Sequence, residues 1–273
     1  LYYPITKIEL KPMVNLKKLT QFISQKLVYF GNRLRNLGYL VANPSYRQVR
    51  NGRGCADIYQ LLNKKWFPKT DIKLVIDVGA NEGQFIKTAL ALMPNTKILA
   101  FEPNPVSVEK LKEATWDTIQ VQIFTLALGS CQDCLPLNVA EFSPASSLLK
   151  NSKQLNQEFP NLLTEKVIKV EINRLDSIIQ QLNMELSDKS FLLKIDVQGF
   201  ELEVLKGTTE LFNKIAVIVC EVNLAFLYEQ QCSINEIIGF LYQNHFRLVD
   251  IGQPIRSRYN EEILYVDLAF IHI

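Results

Sequence analysis

Lys73-Leu-Val-Ile-Asp-Val-Gly-Ala-Asn-Glu-Gly83 joins an apolar run to an acid and two glycines. Such a run, closed by Asp77 and Gly79, reads as a buried parallel strand, because a strand covered on both faces carries a near-continuous apolar sequence. The glycines let the following turn bring its backbone close to a ligand. Residues 82–92 are helical in pattern, and Pro94 stops them. Strand, glycine turn and helix in that order open a doubly wound α/β sheet, in which ligands bind beyond the carboxyl ends of the strands. The spacing is Gly-x-x-x-Gly. It is neither G-x-G-x-x-G nor the phosphate loop with Lys-Ser/Thr, which counts against a nicotinamide dinucleotide or ATP. Asp77, Gly79, Ala80, Asn81 and Gly83 are therefore candidates for a cofactor without a pyrophosphate, such as one carrying a cationic sulfonium and an amino-acid moiety. A plain tight turn is the competing reading.

The alternation continues along the chain. Residues 97–101 form the second strand, followed by Glu102-Pro-Asn-Pro105 and a helix with Pro105 in its first turn. Residues 119–123 alternate strictly, as an exposed edge strand does. Residues 129–172 read as an insertion of short strands and loops. Helix resumes over 175–182, residues 191–195 are a buried strand ending at Asp196, and a further helix starts near Phe200. Residues 215–221 are a strand and 234–242 a helix. The last strands are 246–251 and 263–271, and the loop between them is too short for a parallel crossover. They should pair antiparallel. The predicted fold is thus a mostly parallel, seven-stranded, Rossmann-like sheet with helices on both faces and a C-terminal antiparallel hairpin. Methyltransferase folds have that hairpin and dinucleotide dehydrogenases lack it.

Three more positions carry chemistry. Glu102 ends the second strand 25 residues after Asp77, where a carboxylate can accept hydrogen bonds from both hydroxyls of a ribose. Lys194-Ile-Asp-Val-Gln-Gly-Phe-Glu201 closes a buried strand. Asp196 can orient or deprotonate an acceptor hydroxyl, with His245 as a weaker second base. Lys194 either belongs to that site or is a strand lysine reaching for the sheet edge. Glu221-Val-Asn223 ends the next strand. Asp196, Glu221 and Asn223 are all oxygen donors, so a magnesium site is conceivable, but hydrogen bonding without a metal is the preferred reading.

The strings IDVGANEGQF, FEPNP, LALG, NRLDSI, LLKIDVQGFELEVLKG and VIVCEVN, followed by the late Val-Asp-Leu-Ala-Phe strand, resemble the FkbM family of methyltransferases in composition and order. The resemblance covers roughly residues 70–273, and Leu193 to Gly207 is its most specific part. It implies a class I methyltransferase fold, S-adenosylmethionine as methyl donor, and O-methylation of sugars or natural-product scaffolds. Asp77, Gly79, Asn81 and Gly83 would line the cofactor. Glu102 would bind its ribose, Asn104 would lie near the adenosine and Ala127 beside the adenine. Asp196 would face the methyl group and the acceptor, and Ser146-Ser147-Leu148 would border the acceptor. With Lys194 and Glu221 beside Asp196, these are the expected catalytic residues. Two alternatives stand beside this reading: a nicotinamide oxidoreductase on a Rossmann sheet, and a non-catalytic module that only binds S-adenosylmethionine.

Of the 273 residues, 48% are hydrophobic and 21% charged, which suits a folded protein with a sizeable core. Between Lys11 and Ala56 there are nine basic residues and no acidic one, whereas from Asp57 onward there are 27 acidic against 20 basic. A basic extension, 1–56, therefore precedes an acidic catalytic domain, 57–273. Leu16, Leu19, Ile23, Phe30, Leu34 and Leu37 recur at helical spacing, marking an amphipathic helix of about 20 residues. Such a helix can lie on an anionic membrane, but the stripe is better explained by packing on the protein itself. Nucleic acid is not an expected partner; a small molecule or glycan is. Five cysteines, with an isolated Cys131-x-x-Cys134, suggest neither a disulfide framework nor zinc, and point to a reducing cytoplasm. No spanning helix or signal peptide is visible. The first residue is Leu1 rather than methionine, which points to sequence missing upstream.

Overall fold

The computed structural model describes residues 24, 26, 27, 30, 31, 34, 37, 38, 40–141, 143–160, 162, 164–184 and 187–273. The chain divides into two compact units, Leu1–Arg47 and Gln48–Ile273. In the first, every described residue of 24–42 is helical. The earlier part of the expected amphipathic helix, with Leu16, Leu19 and Ile23, lies outside the described residues. Asn43 ends this helix as expected, but Pro44 opens another, α1 (Pro44–Asn51). Proline suits a first turn because its missing amide would have had no helical partner there.

Residues 48–56, grouped by charge with the basic extension, belong to the second unit. They lead into α2 (Ala56–Leu62), and the Cys55 amide donates to Thr88 Oγ1 at 2.8 Å. Thr88 lies on α3 (Gln84–Leu92), which starts one turn after β1 (Leu74–Val78). Then come β2 (Lys97–Phe101), α4 (Pro105–Ala114) and β3 (Val121–Phe124). The insertion contributes β4 (Ala127–Leu128), β5 (Asp133–Ala140), α5 (Lys153–Glu158) and β6 (Thr164–Asn173). The chain continues with α6 (Leu175–Gln181), β7 (Phe191–Ile195), α7 (Glu201–Lys206) and β8 (Ile215–Asn223). It closes with α8 (Ile234–Gln243), β9 (Phe246–Ile251), β10 (Ile255–Arg256) and β11 (Ile263–His272).

The main sheet runs β3-β2-β1-β7-β8-β11, with β9 and β10 both on the far edge of β11. The first five strands are parallel, and β11 runs antiparallel to both β8 and β9. The sheet has eight strands rather than seven because the two-residue β10 adds itself to β11. Every residue of β1 is buried, since it is the central strand, flanked by β2 and β7 and covered on both faces. Ile76 and Val78 pack with Leu193, Ile195 and Ile218 on one face; Val75 packs with Ile98, Leu192 and Val217 on the other. The expected edge strand begins two residues late, at Val121, because the Val121 amide closes a turn on the Thr118 carbonyl at 3.1 Å.

The chain leaves β1 toward β2 and β3, then returns to place β7 on β1's other side. That reversal opens a crevice at the carboxyl ends of β1 and β7, where ligands of such sheets bind. The insertion folds as a second sheet, β4-β6-β5, around its own small core of Ala127, Leu137, Val139, Val170 and Ile172. Cys131 and Cys134 are exposed thiols at the entry to β5. Among the described residues no helix is long and apolar enough to cross a membrane.

Close packing between the end of α7 and the residue after β4 appears at Gly207, where an added Cβ would lie 1.9 Å from the Gly129 carbonyl oxygen. Gly207→Ala is expected to cost more than about 2 kcal/mol. Gly239, in α8, has nothing within 4 Å of an added Cβ, so Gly239→Ala should gain about 0.5–1 kcal/mol from its better helix propensity. Urea denaturation of the two variants would test this; equal midpoints would contradict it.

Candidate functional site

The turn after β1 is held by its neighbour strand. The amides of Gly79 and Ala80 both donate to the Phe101 carbonyl at 3.0 Å, and the Gly83 amide donates to the Ala80 carbonyl at 2.9 Å. Gly79 has φ +80°, and a Cβ there would sit 1.9 Å from the Asp196 carbonyl oxygen. Only glycine lets the ends of β1 and β7 approach so closely. Asn81 also has a positive φ, 46°, a conformation asparagine tolerates better than most residues.

Glu102 ties this turn to the tip of β2. One oxygen accepts the Asn81 amide at 2.9 Å, the other the Asn104 amide at 2.8 Å. Burial pushes its carboxyl up to about 7, although those two amides pull the other way. Each oxygen keeps acceptor capacity beyond its one amide, and Glu102 lines a cavity of about 220 Å³.

Gly79, Ala80, Asn81, Ala127, Ser146, Ser147, Lys194 and Asp196 also line that cavity. The sequence assigned all of them to the site. Leu126 and Leu128 make the wall around Ala127 apolar. Five other candidates take supporting places outside the lining. Gly83 caps α3 at φ 86°, where a Cβ would meet Leu111 Cδ1 at 2.9 Å. Asn104 caps α4, its Oδ1 accepting from the Val106 amide at 3.1 Å. Asp77 is fully buried behind the turn, and Glu221 and Asn223 end β8. His245 precedes β9, whose Phe246 pairs with His272 at the amino edge of the sheet. It is therefore at the wrong end to act as a base here, because β9 runs in the same direction as β1 and β7 and so starts opposite the crevice at their carboxyl ends.

Neighbouring strands bring the charged groups together. Asp77 is in register with Lys194, and Glu221 with Asp267. Lys194 Nζ lies 3.2 Å from Asp196 Oδ2 and 3.7 Å from Asp77 Oδ1, and 5.8 Å from the centre of the Phe85 ring. Burial alone would depress the ammonium, but Asp196 and Asp77 override it and hold Lys194 above its ordinary value. Neither oxygen of Asp77 has a hydrogen-bond partner; the lysine is too distant for one. Burial pushes the Asp77 carboxyl up to about 6, with Lys194 opposing. Burial, then Asp196 and Asp267, push Glu221 well above the carboxylate range. Burial and Asp196 together push Asp267 up to about 7.

The Gln198 Nε2 donates to both Asp196 Oδ1, at 2.7 Å, and Glu221 Oε1, at 2.8 Å. Tyr228 donates from its hydroxyl to Gln198 Oε1 at 2.6 Å. Of the two serines, Ser147 turns its hydroxyl inward to the Gln198 carbonyl at 2.7 Å, and Ser146 Oγ accepts the Ala140 amide at 3.2 Å. Ser143 donates to Asn81 Oδ1 at 2.8 Å, linking the insertion to the turn after β1. The sequence reading missed Gln198, Tyr228, Ser143 and Asp267. Asp267 had a visible signal, an acid inside an apolar strand; Tyr228 and Ser143 had none. Among the described residues no group of three or more His, Cys, Asp or Glu is arranged to hold a metal.

A family model described as the methyltransferase FkbM domain matches residues 77–248. The 2-O-methyltransferase NoeI of Sinorhizobium fredii is 27% identical over 175 residues, 62% of this chain and 70% of that protein. Methyltransferase sdnD of Sordaria araneosa is 31% identical, over 50% of this chain and 60% of its own length. The hexuronic acid methyltransferase AglP of Haloferax volcanii is 25% identical, over 64% of this chain and 65% of its own. A crystal structure of methyltransferase FkbM from Methylobacillus flagellatus is similar with a TM-score of 0.47 and 12% identity, over 73% of this chain and 44% of that one.

Lys194 is the shared cation of two buried or half-buried carboxylates, so Lys194→Met should destabilise the fold by about 3–5 kcal/mol. The loss should depend on pH. A carboxyl raised above its ordinary value contributes stability below that value and loses it as pH rises through the raised one. For Asp77 that window ends at about 6, and removing the lysine raises it further. The gap between wild type and variant should therefore widen from about pH 5 to about pH 8. Denaturant titrations at both pH values measure it; a gap independent of pH would contradict the pairing.

Proposed function

The chain belongs to the FkbM methyltransferase family, and we propose that it methylates a hydroxyl of a sugar, a glycan or a related small natural product, with S-adenosylmethionine as donor. The observation that carries this is Glu102, whose oxygens are fixed by the Asn81 and Asn104 amides while the residue faces the cavity. A carboxylate so held is preorganised to accept both hydroxyls of a ribose. The apolar wall of Leu126, Ala127 and Leu128 suits a purine face. An oxygen acceptor is supported by the 2-O-methyltransferase NoeI, and a sugar acceptor by the hexuronic acid methyltransferase AglP.

When bound, the donor supplies an electrophilic methyl group on a sulfonium. Positioning and exclusion of water are then much of the protein's work. Asp196 takes the proton of the acceptor hydroxyl, and Lys194 holds Asp196 Oδ2. Glu221 supports Asp196 through Gln198. Ser146 and Ser147 border the acceptor, and Gly79, Ala80, Asn81 and Ala127 border the donor, with Asp77, Gly83 and Asn104 behind them. Magnesium has no assigned role, since the Gln198 amide already bridges Asp196 and Glu221, and Asn223 is buried. Five free thiols fit a reducing cytoplasm. Where the glycan is lipid-linked, the basic N-terminal segment would give the chain a peripheral seat on an anionic membrane.

Calorimetry with S-adenosylmethionine tests the donor site. Glu102→Gln should weaken binding about 10-fold or more. In the wild type affinity should rise as pH passes through about 7 and Glu102 ionises, and the variant should lose that rise. Asp196→Asn should bind the donor within about 3-fold of wild type but lose about 100-fold or more in turnover, measured by labelled methyl transfer to a panel of methyl glycosides. Normal turnover would remove Asp196 as the base; binding without transfer by the wild type would make the chain a donor-binding module.

A further inference from the structure

Gln198 also lines the cavity, and we infer that it is the positioning residue of the acceptor side: its side chain aims the Asp196 carboxylate, and its backbone ties that aim to the acceptor-bordering insertion. The inference rests on the reading of Asp196 as the base.

The bonds around Gln198 leave it little freedom. Its Nε2 carries two protons, one on Asp196 Oδ1 at 2.7 Å and one on Glu221 Oε1 at 2.8 Å. Its Oε1 accepts from the Tyr228 hydroxyl at 2.6 Å, so both ends of the amide are engaged. With Lys194 on Oδ2 at 3.2 Å, both oxygens of Asp196 have a protein donor, so the carboxylate cannot swing. A base must meet its proton in a narrow geometry, and a third group usually sets it.

The backbone is equally constrained. Gln198 has φ 58° and Gly199 φ 101°. A Cβ on Gly199 would lie 3.1 Å from Leu149 Cδ1 and 3.2 Å from Tyr228 Cβ, so the loop is wedged between the insertion and the segment after β8. The Gly199 amide donates to Glu201 Oε1 at 2.9 Å, and the Gln198 carbonyl accepts the Ser147 hydroxyl at 2.7 Å. A shift of the 146–149 segment therefore acts on the residue that holds Asp196. Keeping an amide between Asp196 and Glu221 also keeps two carboxyls from meeting directly. The other charged or titratable groups around them are Lys194 and Asp77 from β7 and β1, Asp267 and Tyr265 from β11, Glu201 from α7, Tyr228, and Cys55 before α2.

Two measurements on the full chain test the assignment. In side-chain amide NMR, the Gln198 proton pair is the one missing from Gln198→Ala. It should exchange with water about 10-fold or more slowly than exposed glutamines, because both protons are held in hydrogen bonds. One proton of the pair should move in Asp196→Asn and the other in Glu221→Gln. A freely exchanging pair, or one blind to both changes, overturns the bridge. In methyl transfer to methyl hexuronosides, Gln198→Ala should lower kcat about 10–100-fold while donor Kd stays within about 3-fold. Tyr228→Phe should lower kcat in the same sense by less, and add little in the double variant. The slope of kcat against pH should change in Gln198→Glu, which is isosteric but brings a third carboxyl to the cluster. Unchanged kcat and pH profile in Gln198→Ala overturn the positioning role. A wild type inert toward every glycoside overturns the acceptor reading alone, because amide exchange decides the bridge without turnover.

Discussion

One carboxylate, that of Glu102, holds the crevice in shape. Its two oxygens take amides from opposite sides, Asn81 in the turn after β1 and Asn104 at the start of α4. Both are groups that would otherwise be buried donors without partners. The acid is nearly inaccessible, and burial raises its carboxyl to about 7, so the fold tolerates a desolvated group in order to fix two loops. The close approach at Gly79 acts with it. Gly79 sets how closely the ends of β1 and β7 approach, and Glu102 fixes the loops after β1 and β2 on the other side of the turn.

The second constraint is charge. Asp77, Asp196, Glu221 and Asp267 converge at the ends of four adjacent strands around a single buried ammonium, that of Lys194. In a medium of low dielectric such a group cannot carry all its charges, and Asp77, Glu221 and Asp267 all respond by rising above the carboxylate range.

Much of this was legible in the sequence, for identifiable reasons. A central parallel strand must be apolar on both faces, so β1 and β7 announced themselves, and the acids that end them marked the crevice. Gly79 and Glu102 followed from what a ligand-facing turn requires. Gly83 and Asn104 were harder, because the residue types that line a ligand turn are also those that cap helices, and both turned out to be caps. Gln198 and Tyr228 meet only through tertiary packing across 30 residues of chain. No local pattern encodes that. The two-residue β10 and the late start of β3 depend on turn closure rather than hydrophobic period.

The most direct measurement is a crystal of the full chain soaked with S-adenosylhomocysteine. The ribose hydroxyls should lie within hydrogen-bond distance of the Glu102 carboxylate, with the adenine against Ala127 and the sulfur toward Asp196. Density for the nucleoside elsewhere, or an empty crevice at saturating ligand, would contradict the assignment of the site.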